Sequence, residues 1–342
     1  MRPFELVKPD TLSQAINYLQ THPAAKMIAG GTNIIDLMKE DVEQPPMLID
    51  LTQLPMADIV VASNGTLRIG ALVRNSDLAY HPDVMAQWPL VSAALLAGAS
   101  PQLRNMATTA GNLLQRTRCY YFYDTATVCN KRTPGQGCAA LGGHNRIHAI
   151  LGASDQCVAT HPSDLCIALA ALEAVVVAHG PLGERRVAFS DFHRLPDNRP
   201  ELDTVLEPNE IITAVEIPPS HYAEHYDYLK LRDRRSYAFA LVSVAAGLEI
   251  SNGVIVSARI ALGGVAHKPW RDSEAEQALV GKAPGDDTFT LAASLVLRQA
   301  RPLRDNAFKI ELSQRAIVRA LTRAVSRSQR SLPHELANRP IQ

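Results

Sequence analysis

The sequence has no surplus of charge: 34 Lys and Arg stand against 34 Asp and Glu. A balanced chain lacks the field that draws proteins to nucleic acid or to an anionic membrane surface, so neither is expected as its main partner. It also lacks a long apolar run. The best, Ile167 to Ala178, is interrupted by Glu173 and falls short of the roughly 18 residues of a membrane span. The start, MRPFELVKPD, has no basic-then-apolar leader, and Arg185-Arg186 and Arg234-Arg235 lie too deep to serve as N-terminal twin-arginine signals. On its own the chain reads as cytoplasmic. No Ser-His-Asp ordering, paired-carboxylate pattern or HExxH motif stands out, so hydrolytic chemistry has no support.

What is present suits a globular protein of two or three domains: 342 residues, 46% hydrophobic and 20% charged. Thr11 caps an expected helix over 11–21 with Ala15, Ile16 and Leu19 on its apolar face. Lys26 to Ala29 reads as a short strand running into Gly30-Gly31-Thr32-Asn33, after which Ile34, Ile35, Leu37 and Met38 set a helical period. Strand, paired glycines and a helix start place several backbone N–H groups around one small volume, which is an anion site in principle. Thr108, Gly111 and Asn112 sit in a second such turn, TTAGN, and two turns of this kind can clamp both ends of a pyrophosphate. Further strands are expected at Met47–Leu51 and Leu67–Ala71, and helices at Val91–Gly98 and Asp164–Val177. Beyond a proline-punctuated stretch the reading is strands at Tyr226–Leu231, Tyr237–Ile250 and Val254–Gly263. Asn252-Gly253 makes a hairpin turn, and helices follow near 286–300 and 304–326.

Four of the five cysteines, Cys119, Cys129, Cys138 and Cys157, crowd into one glycine-rich, cation-rich segment. Three readings compete for them. Disulfides need an oxidising compartment. Zinc normally shows a CxxC knuckle, absent here, although His144 and His148 could supplement Cys138 and Cys157. An iron–sulfur cluster takes four thiolates at irregular spacing and is tuned by nearby N–H groups and charge. The Arg- and Lys-rich surroundings lean towards the cluster, with zinc close behind. Cys166, in an apolar helix, reads as a core thiol. Gly135-Gln136-Gly137-Cys138-Ala139-Ala140 fits GxGxxA, but no strand precedes it, so a Rossmann nucleotide site is rejected there.

AGGTNIIDLMK (Ala29 to Lys39), LRNMATTAGNLLQRTRC (Leu103 to Cys119), THPSDL (Thr160 to Leu165) and SYAFALVSVAAG (Ser236 to Gly247) resemble the FAD-binding medium subunits of molybdenum hydroxylases. That family includes xanthine dehydrogenase, carbon monoxide dehydrogenase and aldehyde oxidoreductases. The insertion RTRCYYFYDTATVCNKRTPGQGCAAL is similar to the FAD and [4Fe-4S] subunits of bacterial periplasmic aldehyde oxidoreductases.

The resemblance implies an α+β fold. Residues 1–220 would form a PCMH-type (vanillyl-alcohol-oxidase-like) FAD-binding domain of two subdomains, with 116–158 as a [4Fe-4S]-binding insertion. Residues 221–327 would form a C-terminal α+β domain of antiparallel sheet and helices, and 328–342 a polar tail. FAD would be held by Lys26, Met27, Ile28, Ala29, Gly30, Gly31, Thr32, Asn33 and Ile34 around the pyrophosphate, faced by Thr108, Gly111 and Asn112. Asp164 would reach the ribose or adenine side and Lys230 the flavin ring. Cys119, Cys129, Cys138 and Cys157 would ligate the cluster. The implied partners are a small subunit with two [2Fe-2S] clusters, a large molybdopterin subunit that oxidises aldehyde to carboxylate, and an external electron acceptor. The chain itself would supply no catalytic acid or base. Export to the periplasm would follow from a signal-bearing partner. The alternative is a stand-alone flavin oxidase with a zinc-stapled loop.

Overall fold

The computed structural model describes residues 1–327; the expected polar tail lies outside the described residues. The Thr11 hydroxyl accepts the Gln14 N–H at 3.2 Å, and the helix Leu12–Thr21 buries Ala15, Ile16 and Leu19. They pack on a three-stranded parallel sheet whose central strand, Met47–Asp50, is flanked by Glu5–Val7 and Lys26–Ile28. A five-stranded antiparallel sheet follows in the order Ile59–Val61, Leu67–Gly70, Ile211–Ile217, Val175–Gly180, Gly183–Ala188. The third sheet, also antiparallel, orders Trp270–Arg271, Val254–Gly263, Val242–Ser251, Tyr226–Leu231. It is covered on one face by the helices Asp286–Val296 and Phe308–Arg327.

The helices Pro89–Ala97 and Asp164–Ala171 pack against each other and against the third sheet, while their other side joins the core of the five-stranded sheet. Both are apolar nearly all round because most of their surface is buried, Leu96 being the exposed exception. The architecture is α+β, as expected.

Two local readings are corrected. The helix expected over Asp164–Val177 stops at Ala171; Glu173 adopts φ 54°, and Val175–Gly180 becomes a strand paired with both Ile211–Ile217 and Gly183–Ala188. β-branched Val175, Val176 and Val177 favour that pleated, buried setting over a helix. The strand expected from Tyr237 starts only at Val242, because Tyr237 sits at φ 52° in a loop that crosses the cleft described next. The hairpin turn is as expected: Asn252 and Gly253 have φ of 51° and 77°, the pairing a two-residue primed turn requires.

Candidate functional site

After the strand Lys26–Ile28 the chain turns through Gly30-Gly31-Thr32-Asn33 into the helix Ile34–Lys39. Gly31 adopts φ 71°, the left-handed region where glycine is cheapest. Gly30 is required for contact: a Cβ there would stand 1.9 Å from the Met106 carbonyl oxygen and 3.1 Å from the Ala107 Cα. The two turns identified in the sequence therefore touch backbone to backbone.

They differ in what they offer. Among the described residues, no protein acceptor takes the backbone N–H of Gly30, Gly31, Thr32, Asn33 or Ile34. Five consecutive free amides at a helix start form a nest for negative charge. In the facing turn the amides are already used: Thr109 N–H donates to Val73 O, Ala110 N–H to Ala71 O, Gly111 N–H to the Thr108 hydroxyl and Asn112 N–H to Thr108 O. That turn supplies wall and side chains, not an amide nest. The Asn112 side-chain oxygen accepts from Ser163 Oγ at 2.5 Å and Gln115 Nε2 at 2.9 Å.

Two chambers open on either side of this contact. One, of about 370 Å³, is lined by Lys26, Met27, Ile28, Ala29, Gly30, Gly31, Thr32, Asn33, Ile34, Thr108 and Gly111, with Leu206 and Ile211 among its far walls. The other, of about 420 Å³, is lined by Thr32, Asn33, Gly111, Asn112, Asp164 and Lys230, with the aromatic loop of Tyr237 and Phe239. Thr32, Asn33 and Gly111 belong to both and form the waist. All fourteen residues expected to bind the cofactor line one or other of these two adjoining chambers. A long molecule with a doubly anionic middle and a flat ring at each end fits them: a dinucleotide. Asn33 Nδ2 at the waist and Asn75 Oδ1 at the larger chamber are buried without partners, which leaves a donor and an acceptor for a ligand. Asn75 has no signature in the sequence.

Asp164 and Lys230 stand together in the cleft: Lys230 Nζ donates to Asp164 Oδ2 at 2.7 Å and Tyr228 OH to Asp164 Oδ1 at 2.6 Å. Asp164 also opens its helix, which Ser163 caps by accepting the Cys166 N–H. Burial, then the Asp164 carboxylate, pushes the Tyr228 phenol well above its usual range, so it stays a proton donor. The pair fixes a cation at the wall of the larger chamber.

Behind the waist lies the thiol loop. Cys119, Cys129 and Cys157 are buried, Cys138 half-buried, and none of the five cysteines is bridged. Cys129 and Cys138 face each other across an antiparallel bridge between chain segments, with Asn130 N–H bonded to Gly137 O. All four thiols line one small space of about 10 Å³, together with Asn130 and Lys131. A hydrogen bond from the Cys157 thiol lowers the Cys138 pKa, whereas Cys157 itself is raised. Burial pushes Cys119 up to about 12. Four cysteines around one point are the donor set of an iron–sulfur cluster. A Cβ added at Gly135, Gly137 or Gly142 in this loop would meet nothing within 4 Å.

The zinc arrangement is not assembled. His144 is exposed beside Asp305, and His148 contacts Cys119, not Cys138 or Cys157. Among the described residues, no three of these thiols and imidazoles lie within 4.8 Å of one another, as a single tetrahedral ion would require. The set that does converge is His161, Cys166 and His193, deep in the core. Burial pushes Cys166 up to about 12, in keeping with a packing thiol.

The thiol loop and the dinucleotide turn share one buried ion network. Asp203, held well below the usual carboxylate range by Lys131 and Arg116 against the opposing effect of burial, accepts from Lys131 Nζ and pairs with Arg116, both at 2.5 Å.

A model described as the FAD binding domain in molybdopterin dehydrogenase matches residues 2–220, and one described as the CO dehydrogenase flavoprotein C-terminal domain matches residues 225–327. The chain is 50% identical over 325 residues to the aldehyde oxidoreductase FAD-binding subunit PaoB of Escherichia coli strain K12, covering 95% of this chain and 99% of that one. It is 27% identical over 329 residues to the carbon monoxide dehydrogenase medium chain of Hydrogenophaga pseudoflava, covering 95% and 98%. Among solved structures, carbon monoxide dehydrogenase from H. pseudoflava, in a form lacking the Mo-pyranopterin moiety, superposes with a TM-score of 0.75 at 27% identity, over 96% of this chain and 99% of that one. Quinoline 2-oxidoreductase from Pseudomonas putida 86 gives 0.74 at 24% identity over 96% and 99%, a likeness of fold alone.

Proposed function

We propose, because the chain belongs to the FAD-binding medium subunits of the molybdenum hydroxylase family, that it is the flavin and iron–sulfur electron-transfer subunit of a molybdenum-dependent aldehyde oxidoreductase. FAD binding is carried by the run of five free amides at Gly30 to Ile34, set at the waist between two chambers. The amides and Asn33 Nδ2 would hold the diphosphate, the two chambers the ring systems. Bound there, the flavin would take up electrons from iron–sulfur centres and release them to an external acceptor.

The chain's own residues do not activate an aldehyde. Asp164 and Tyr228 hold the Lys230 ammonium at the chamber wall, where a fixed cation favours a ligand that gains negative charge. Arg118 donates to Asp36 and Tyr123 and stacks on Phe239, which lines the same chamber. Cys119, Cys129, Cys138 and Cys157 would ligate a [4Fe-4S] cluster; the support for this is four thiols lining one space. The partners in this reading are a large molybdopterin subunit that oxidises aldehyde to carboxylate and a small subunit with two [2Fe-2S] clusters. Export would be to the periplasm, in company with a signal-bearing partner; cell fractionation with the partner genes present tests it.

Anaerobically purified protein is expected to show flavin bands and about four irons per chain. Zinc without iron would remove the cluster from this reading, and aldehyde turnover by this chain alone would overturn the relay role.

A further inference from the structure

The His148 side chain belongs neither to the four-thiol set nor to the dinucleotide cleft, yet its Nε2 stands 3.1 Å from Cys119 Sγ, with both groups buried. Its backbone is fixed. The His148 carbonyl accepts from Lys309 Nζ at 2.8 Å and Asn306 Nδ2 at 3.2 Å, and its N–H donates to Asn145 O. Cys119 is fixed as well, its N–H donating to Thr117 Oγ1. The backbones of both partners in the contact are thus held by hydrogen bonds. A cavity of about 200 Å³ touches both Cys119 and His148 and continues to Ser163, Asp164 and Phe239, which also line the larger chamber. Cys119 is thus the corner of the thiol set turned towards that chamber.

We infer that His148 is a positioning residue for the iron–sulfur centre: its Nε2–H donates to the Cys119 thiolate and raises the centre's one-electron midpoint potential. This rests on the cluster reading above. A thiolate ligand carries no proton, so a hydrogen bond between these atoms has one direction, from nitrogen to sulfur. Such a bond stabilises the negative charge that the sulfur gains on reduction, which favours the reduced state. Nδ1 of His148 is buried without a partner, which leaves Nε2 as the nitrogen that carries the proton.

The test uses the assembled complex, with His148→Phe and His148→Gln, iron analysis and potentiometric titration followed by electron paramagnetic resonance. The expected result is unchanged iron in both variants, a more negative midpoint potential for His148→Phe, and a potential for His148→Gln nearer the wild type, since the amide keeps an N–H donor. An unchanged potential in His148→Phe with iron intact overturns the inference. So does loss of one iron per chain in His148→Phe, because His148 would then be a ligand. Wild-type protein without iron in this chain would instead sink the cluster reading itself.

Discussion

Asn33 Oδ1 accepts the backbone N–H of Arg116 at 2.9 Å, across 83 positions of sequence, and this single bond aims the Asn33 amide nitrogen into the waist of the cleft. Arg116 in turn bonds Glu43 at 2.8 Å and Asp203, and Asp203 holds Lys131, two residues after Cys129. The flavin turn and the thiol loop are thereby parts of one polar scaffold. Asn33→Ala removes the waist donor and frees the turn from Arg116. Flavin affinity is expected to fall about tenfold, on the order of 1.4 kcal/mol for one buried hydrogen bond. Fluorescence titration of the flavin-stripped protein reads it, and an unchanged dissociation constant would remove Asn33 from the site.

Gly30→Ala drives a methyl group into the Met106 carbonyl, a backbone atom with no rotamer to yield. The two turns must separate, at a cost on the order of 1–3 kcal/mol for overpacking, and the amide nest moves with them. The expected outcome is folded protein with a low flavin-to-protein ratio. Gly135→Ala is the control: it strains a positive φ of 86°, which Gly30 does not have, but nothing lies within 4 Å of its added carbon, so it should keep its flavin. Equal flavin loss in both variants would show that the close approach at Gly30 is immaterial.

Features encoded within a few residues were readable from the sequence, and features that need a distant partner were not. Thr11, Gly31 and Asn252-Gly253 act on their own neighbours, so their roles follow from residue type and φ. Val175–Gly180 follows a helix directly and looked like its continuation; only pairing with Ile211–Ile217 makes it a central strand. The amide run at Gly30 to Ile34 was legible, but the consumption of the facing amides by Ala71 and Val73 was not. Asn75 and His148 gain their meaning from Asn33's neighbourhood and from Cys119, which no local pattern announces.

Asp164 and Lys230 are an ion pair with side-chain exposures of 9% and 4%. Asp164→Asn leaves the buried ammonium without a counter-charge, facing a neutral amide oxygen and the Ala97 carbonyl at 3.4 Å. Breaking one half of such a pair costs roughly 3–5 kcal/mol, while replacing both by apolar groups is often near neutral. Asp164→Asn is therefore expected to lower the urea midpoint strongly, and adding Lys230→Met to recover much of the loss. If the double variant were less stable than the single, the uncompensated charge would not be the cause.

Burial pulls His193 and His267 down to about 4. A base whose folded pKa lies below its unfolded value is stabilising while neutral in both states. As pH falls through about 6.5 the unfolded chain takes up the protons first, and stability declines until the folded pKa is reached. The expected slope between pH 6.5 and 4 is up to about 1.4 kcal/mol per pH unit per histidine. Asp203, also held below its usual value, acts in the same direction, but only below the usual carboxylate pKa of about 4, where the unfolded chain takes up its proton first. Urea midpoints that stay flat from pH 7 to 5 would contradict neutral burial of these imidazoles.

Cys138 differs from the other thiols in being half-buried and in having its thiolate stabilised by a hydrogen bond from the Cys157 thiol. Cys119 and Cys166 are pushed up to about 12 by burial, and Cys157, as the donor, is also raised. Since the thiolate is the nucleophile, iodoacetamide at pH 7 should label Cys138 first in iron-free protein, with little gain in its rate on raising the pH to 9. Peptide mass spectrometry resolves the five sites. Cys157→Ser keeps a hydroxyl donor and should preserve the fast labelling, whereas Cys157→Ala should slow it and restore an ordinary rise with pH. Equal rates at Cys138 in Cys157→Ala and wild type would show that its reactivity comes from exposure alone.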